Sequence, residues 1–162
     1  MNKFNNILIF QDNYISKYIK VIKEIAINWD YKKLSTFFTK GYSIDTQIDK
    51  EIIAPFTRDW SNIPGGHAEL LVRPNTIEQC ALILKTCQTC KIPITISAGQ
   101  TNLTGSATPN GGIILSTLQL NKPEVKVDIT NKLVFTPVGI PLEVMRKEVL
   151  KQSKNMLYYP VN

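Results

Sequence analysis

The chain has 162 residues, 43% of them hydrophobic and 20% charged, with a formal net charge of +6. That length suits one domain able to bury roughly 70% of its unfolded surface, and the composition is that of a globular protein. The positive charge sits on dispersed lysines, with no arginine-rich stripe or interleaved aromatics, so no nucleic-acid partner is expected. No apolar run approaches the about 18 residues of a transmembrane segment.

At the amino terminus, the apolar patch at residues 7–10 is followed at once by Asp12, with no small-residue cleavage site, so a secretory signal is not expected. Over residues 12–29, Tyr14, Ile15, Tyr18, Ile19, Ile22, Ile25, Ala26 and Trp29 recur at helical spacing and predict an amphipathic helix. Its apolar stripe reads as a packing surface, with a face of another domain as one candidate partner. A second helix is predicted over residues 31–39, ending at Gly41. Residues 42–66 read as irregular, broken by Pro55, Pro64 and Gly65-Gly66.

Residues 68–73, AELLVR, predict a strand stopped by Pro74. The following helix is expected to be capped by Asn75 with Glu78 as the capping-box partner, and to bury Ile77, Cys80, Ala81, Leu84 and Cys87. Cys80, Cys87 and Cys90 are odd in number and close together, which suggests reduced structural thiols of a cytosolic protein. Zinc normally takes about four ligands. His67 is the single histidine that could join these thiols, so no metal site is expected.

Residues 92–96 and 112–115 predict two buried strands. Between them, residues 97–106, SAGQTNLTGS, are small or polar. A tight loop of that kind gathers backbone N–H groups that few side chains cover, which favours an anion and above all a phosphate. Small residues also let a ligand approach the backbone. A diphosphate-containing cofactor is therefore expected. A hairpin is predicted from residues 125–129 and 133–136, turning near Asn131-Lys132. Pro141 is expected in the first turn of a last helix with Leu142, Met145 and Val149 on its apolar side. The order α, β, α, β, loop, β, β, β, α predicts an α+β fold with a mixed β-sheet and flanking helices, not the strict alternation of a doubly wound sheet.

Several segments then combine. Arg58-Asp59-Trp60, LLVRPNTIEQ at residues 70–79, AGQTNLTGSA at 98–107, PNGGIILS at 109–116 and VFTPVGI at 134–140 follow one another at telling intervals. In this order and spacing, residues 45–160 resemble the FAD-binding (PCMH-type) domain of the vanillyl-alcohol-oxidase-type flavoproteins. The nearest branch is that of the FAD-linked dehydrogenases of D-2-hydroxy acids such as D-lactate, glycolate and D-2-hydroxyglutarate. With the helices predicted above, the chain divides into a helical segment at residues 1–44 and, by the resemblance, the N-terminal part of an FAD-binding domain at 45–162. The resemblance implies FAD as cofactor, with the amides of Ala98, Gly99, Gln100, Thr101 and Asn102 turned to the diphosphate and the Thr101 hydroxyl beside them. Leu103, Gly105, Ser106 and Ala107 would finish the loop near the ribityl chain and isoalloxazine. Pro74 and Gly139 stand where the family approaches the adenosine half.

Ala98, Gln100, Asn102 and Ser106 occupy positions where the family commonly has glycine. Each would be strained if its φ were positive, Asn102 least. Family members also continue with a second glycine-rich flavin segment and a substrate domain that supplies the catalytic groups. No catalytic residue is assigned here. In a complete enzyme, a 2-hydroxy acid would be oxidised to a 2-oxo acid. The chain reads as the FAD-binding portion of a truncated or split member, inactive by itself; the alternative is a small flavin- or nucleotide-binding module working with a separate chain. The expected location is the cytoplasm, with the inner face of a membrane as a peripheral variant. His67 reads as an exposed loop histidine rather than a catalytic or flavin-linked one. Arg58 and Asp59 read as a local ion pair or cap rather than a substrate contact.

Overall fold

Strand β4 (Ile113–Ser116) is buried along its whole length, as expected of a short apolar strand covered on both faces. It lies at the centre of a four-stranded sheet in a computed structural model that describes residues 15–159. The other strands are β1 (Asp45–Gln47), β2 (Leu70–Arg73) and β3 (Ile94–Ser97), in the order β1-β2-β4-β3. β2 and β3 both run parallel to β4, while β1 is antiparallel to β2.

The register aligns Leu70 and Ile94 with Ile113, and Val72 and Ile96 with Leu115. Leu70, Val72, Ile113 and Leu115 thus share one face and join Ile22, Leu34, Phe38, Leu82, Ile83 and Cys87 in the main core. Those partners come from α1 (Ile19–Ile27), α2 (Tyr31–Tyr42) and α4 (Ile77–Cys90). On the opposite face, Leu71 and Ile114 meet Ile53 of α3 (Lys50–Ile53) and Phe56 of the 3-10 turn Ala54–Phe56. A separate hairpin pairs β5 (Lys126–Asp128) with β6 (Leu133–Phe135). It packs on α5 (Leu142–Gln152) through Val125, Val127, Val134, Met145 and Val149.

The mixed sheet and flanking helices match the sequence pattern, with local corrections. Residues 42–66 hold β1, α3 and the 3-10 turn, because Ile44 and Ile53 are drawn into the two cores. Gly41 does not end α2, which closes at Ser43 in a left-handed conformation. Residues 12–14 of the first predicted helix lie outside the described residues. Of its apolar stripe, Ile22 is packed in the main core with Tyr18, Ile25 and Trp29 partly buried against it, while Ile19 is exposed.

The cap of α4 is Thr76, which accepts from the Gln79 amide, while Gln79 Oε1 accepts from the Asn75 amide at 2.8 Å. The capping box is therefore shifted by one residue from Asn75 and Glu78. The buried face of α4 follows it round to Leu82, Ile83, Thr86 and Cys87, leaving Ile77 60% exposed and Leu84 exposed. Pro141 is the N-cap of α5, one position before the first turn, and Leu142 is exposed.

Candidate cofactor site

The three parallel strands all end at the same edge of the sheet, where open α/β sheets place their ligands. β2 delivers the buried Pro74, β3 delivers the loop at residues 98–107, and β4 delivers the segment 117–120. Gly139 comes in from the hairpin side and donates its amide to the Leu120 carbonyl at 2.9 Å. A Cβ there would stand 2.5 Å from the Thr117 carbonyl oxygen, so glycine at this position serves a close backbone crossing.

The loop is neither flat nor closed on itself. Among the described residues, no backbone amide from 99 to 106 donates to a protein acceptor. What shapes the loop is a set of bonds to residues 54–61. Gln100 Nε2 donates to the carbonyls of Pro55 (2.9 Å) and Arg58 (2.7 Å), and the Trp60 amide donates to the Gln100 carbonyl (3.2 Å). Asn102 Nδ2 donates to Asp59 Oδ2 and to Ser106 Oγ, the latter at 3.0 Å. The Ala107 amide reaches Asp59 Oδ2 at 3.2 Å, and the Thr108 amide reaches the Gly105 carbonyl at 3.0 Å.

Of the four residues standing where glycine is common, only Gln100 has a positive φ, +57°. Its side-chain bonds to two fixed carbonyls offset the roughly 1–2 kcal/mol that the left-handed region costs a residue with a Cβ. Ala98, Asn102 and Ser106 carry no such strain, and Asn102 acts through its side-chain amide instead. Gly105 does use the left-handed region (φ +75°), and its Cα faces Ile63.

Asp59 is 5% exposed. Its carboxylate accepts from Ser61 Oγ, from the Ser61 amide at 3.0 Å, from the Ala107 amide and from Asn102. Those bonds, that of the Ser61 hydroxyl foremost, hold it down at about 2 against its ordinary 3.8. The cap expected of Asp59 is present, but it joins distant segments; Arg58 is exposed and forms no ion pair with it among the described residues.

Several donors at this edge have no protein acceptor among the described residues. Ser97 and Ser116 are register partners at the ends of β3 and β4; both are fully buried, and their hydroxyls have no partner among the described residues. The Thr117 hydroxyl is likewise buried and unpaired. Exposed Thr101 adds another hydroxyl, and the one acid that enters the loop's bonding, Asp59, already accepts four hydrogen bonds. Such a donor set fits a diphosphate.

His67 lies away from this loop. It is exposed, its Nδ1 is 3.2 Å from the Gly65 carbonyl, and with Lys50, Thr57 and Glu69 it lines a cavity of about 390 Å³ beside α3. The three cysteines are free thiols, with burial raising Cys80 to about 11 and Cys87 to about 12. No group of metal-binding side chains occurs among the described residues. Sequence reasoning missed the dependence of the loop on residues 54–63. Its signal was the Arg58-Asp59-Trp60 run itself, an acid beside a tryptophan within a stretch otherwise read as irregular.

Comparisons with known proteins show the family and the fold. A family described as "FAD binding domain" matches residues 68–160, more than half of the chain. The chain belongs to the FAD-binding-domain family, and FAD is the cofactor the match indicates. It is 33% identical over 115 residues to a D-lactate dehydrogenase of Anaerostipes hadrus, covering 70% of this chain and 24% of that protein. It is 31% identical over 102 residues to a mitochondrial D-2-hydroxyglutarate dehydrogenase of Bos taurus, covering 62% of this chain and 19% of that protein. The chain thus spans about a fifth to a quarter of the length of these relatives.

Among solved structures, the fold matches BBE-like 1 of Physcomitrella patens with a TM-score of 0.61 at 11% identity, over 76% of this chain and 26% of that one. It also matches p-cresol methylhydroxylase, with a TM-score of 0.56 at 22% identity, over 67% of this chain and 22% of that one. The PCMH-type fold expected from the sequence is therefore the fold observed. No helix among the described residues is long and apolar enough to cross a membrane.

Proposed function

We propose that this chain supplies the diphosphate-binding part of the FAD site in a dehydrogenase that oxidises a D-2-hydroxy acid to a 2-oxo acid. The observation that carries the reading is the row of unengaged amides at residues 99–106, held at the carboxyl end of β3 by side chains rather than by their own hydrogen bonds. The amides of Ala98, Gly99, Gln100, Thr101 and Asn102 bind the diphosphate, with the Thr101 hydroxyl as an added donor. Leu103, Gly105, Ser106 and Ala107 continue the loop toward the ribityl and ring portions, and Pro74 and Gly139 border the adenosine half. Bound FAD supplies the hydride acceptor; this chain's residues bind and orient it.

The substrate class is supported by relatives named for D-lactate and D-2-hydroxyglutarate. The groups that take the hydroxyl proton and hold the substrate carboxylate lie outside these residues, further along the polypeptide or on a separate chain. The division proposed is a segment at residues 1–44 ahead of the FAD-binding unit at 45–162. The three free thiols support a reducing, cytoplasmic setting. Exposed Lys20, Lys23, Lys32 and Lys40 support peripheral contact with the inner face of a membrane as the variant placement.

The test is titration of the purified chain with FAD, followed by flavin fluorescence and by retention of the yellow colour through gel filtration. Saturable binding that Thr101→Glu removes is the expected result. Equal binding by both proteins would remove the loop from the site.

A further inference from the structure

Resting on the reading of residues 98–107 as the diphosphate loop, we propose that Asp59 is the positioning residue of that site. It contacts no phosphate itself and sets the loop that does. Its Oδ1 accepts from the Ser61 amide and hydroxyl, and its Oδ2 from the Ala107 amide and Asn102 Nδ2. Asn102 Nδ2 also reaches Ser106 Oγ at 3.0 Å. One buried carboxylate therefore holds both ends of the 102–107 turn, and the amides between them are left without protein acceptors.

Ionisation is essential to this role. Every direction around the carboxylate is filled by a donor, so an isosteric amide would turn its own NH2 group against two of them. A bare carboxylate near a diphosphate would oppose its binding. One saturated by four donors instead fixes and polarises the groups around it. The anchor also explains why an acid stands next to the exposed Trp60 in a segment with little regular structure.

The experiment compares the full chain with Asp59→Asn, Asn102→Ala and Thr101→Glu. FAD affinity is read by flavin fluorescence, Tm by circular dichroism, and the loop amides by NMR without FAD. Asp59→Asn is expected to weaken FAD binding about tenfold or more and to move the Ala107 amide resonance. Thr101→Glu is expected to abolish binding while leaving that resonance in place.

If Asp59→Asn lowers Tm but binds FAD as the parent does, Asp59 is a purely structural residue and the proposal fails, while the loop reading survives provided Thr101→Glu still abolishes binding. If Thr101→Glu also binds normally, or the parent binds no FAD, the loop reading itself falls and the proposal with it. Should Asp59→Asn not fold, Asn102→Ala decides: a threefold or greater loss of affinity, about 0.7 kcal/mol, supports the proposal and an unchanged affinity overturns it.

Discussion

Two turns of this molecule are each organised by an aspartate, and they differ in where the donors come from. Asp128 closes the β5–β6 hairpin by accepting from the Asn131 amide at 3.0 Å and from Asn131 Nδ2 at 2.8 Å, three residues away. Asp59 holds Asn102 and Ala107, 43 and 48 residues away, together with its near neighbour Ser61. Asp128 takes both of its donors from Asn131, within its own turn. Asp59 fixes the ends of a loop and leaves the interior amides unengaged. A loop that must bind an anion cannot satisfy itself; its shape has to be imposed from elsewhere in the fold.

The sharpest test of that contrast is charge at the loop's exposed surface. Thr101→Glu should reduce FAD affinity at least about a hundredfold, since like charges about 4 Å apart at a protein surface repel by about 4 kcal/mol. Tm should barely change, because Thr101 is exposed. A glutamate placed in the hairpin turn at Thr130 should leave FAD titration unaffected.

Next in size is the other anchor of the loop. Gln100→Ala should destabilise the protein by about 2 kcal/mol in urea unfolding, losing two side-chain hydrogen bonds while keeping the left-handed backbone. Gln100→Gly should lose less, because glycine removes the φ penalty. Equal losses would mean that the side-chain bonds alone hold the turn.

Acid should distinguish the two aspartates more gently. Asp59 is held at about 2, below the ordinary 3.8, so the unfolded chain takes up the proton first as pH falls. The stabilisation is complete above about pH 4 and is lost between about 4 and 2. The Tm of the parent should fall more steeply across that window than the Tm of Asp59→Asn. Asp128 is also lowered, by its Asn131 bonds, and contributes with the same sign. The smallest effect is expected from Asn131→Ala, an exposed change that should move Tm by no more than about 2 °C and leave FAD titration untouched.

Legibility followed the same division. The strands, the hairpin turn and the small-residue loop could be read because their signals lie within ten or so residues: apolar runs, breakers and turn formers in series. Which of the loop's non-glycine residues takes a positive φ, and how it is accommodated, could not be read for a physical reason. Gln100 is tolerable at positive φ only because Pro55 and Arg58 carbonyls stand within reach, and nothing adjacent to Gln100 in the chain reveals that. The buried face of α4 was displaced from the predicted one because β2, β4 and the α1–α2 pair, not the helix's own periodicity, select which residues meet the core.

By itself, the sequence determined an α+β domain, a small-residue loop after the third strand and membership of an FAD-binding family, since local patterning and motif spacing encode these directly. Only the tertiary structure decided which loop residues are strained, which side chains hold them and why the intervening amides remain unengaged. Those depend on groups more than forty residues apart being brought within hydrogen-bond distance, and short-range patterns carry no information about such contacts.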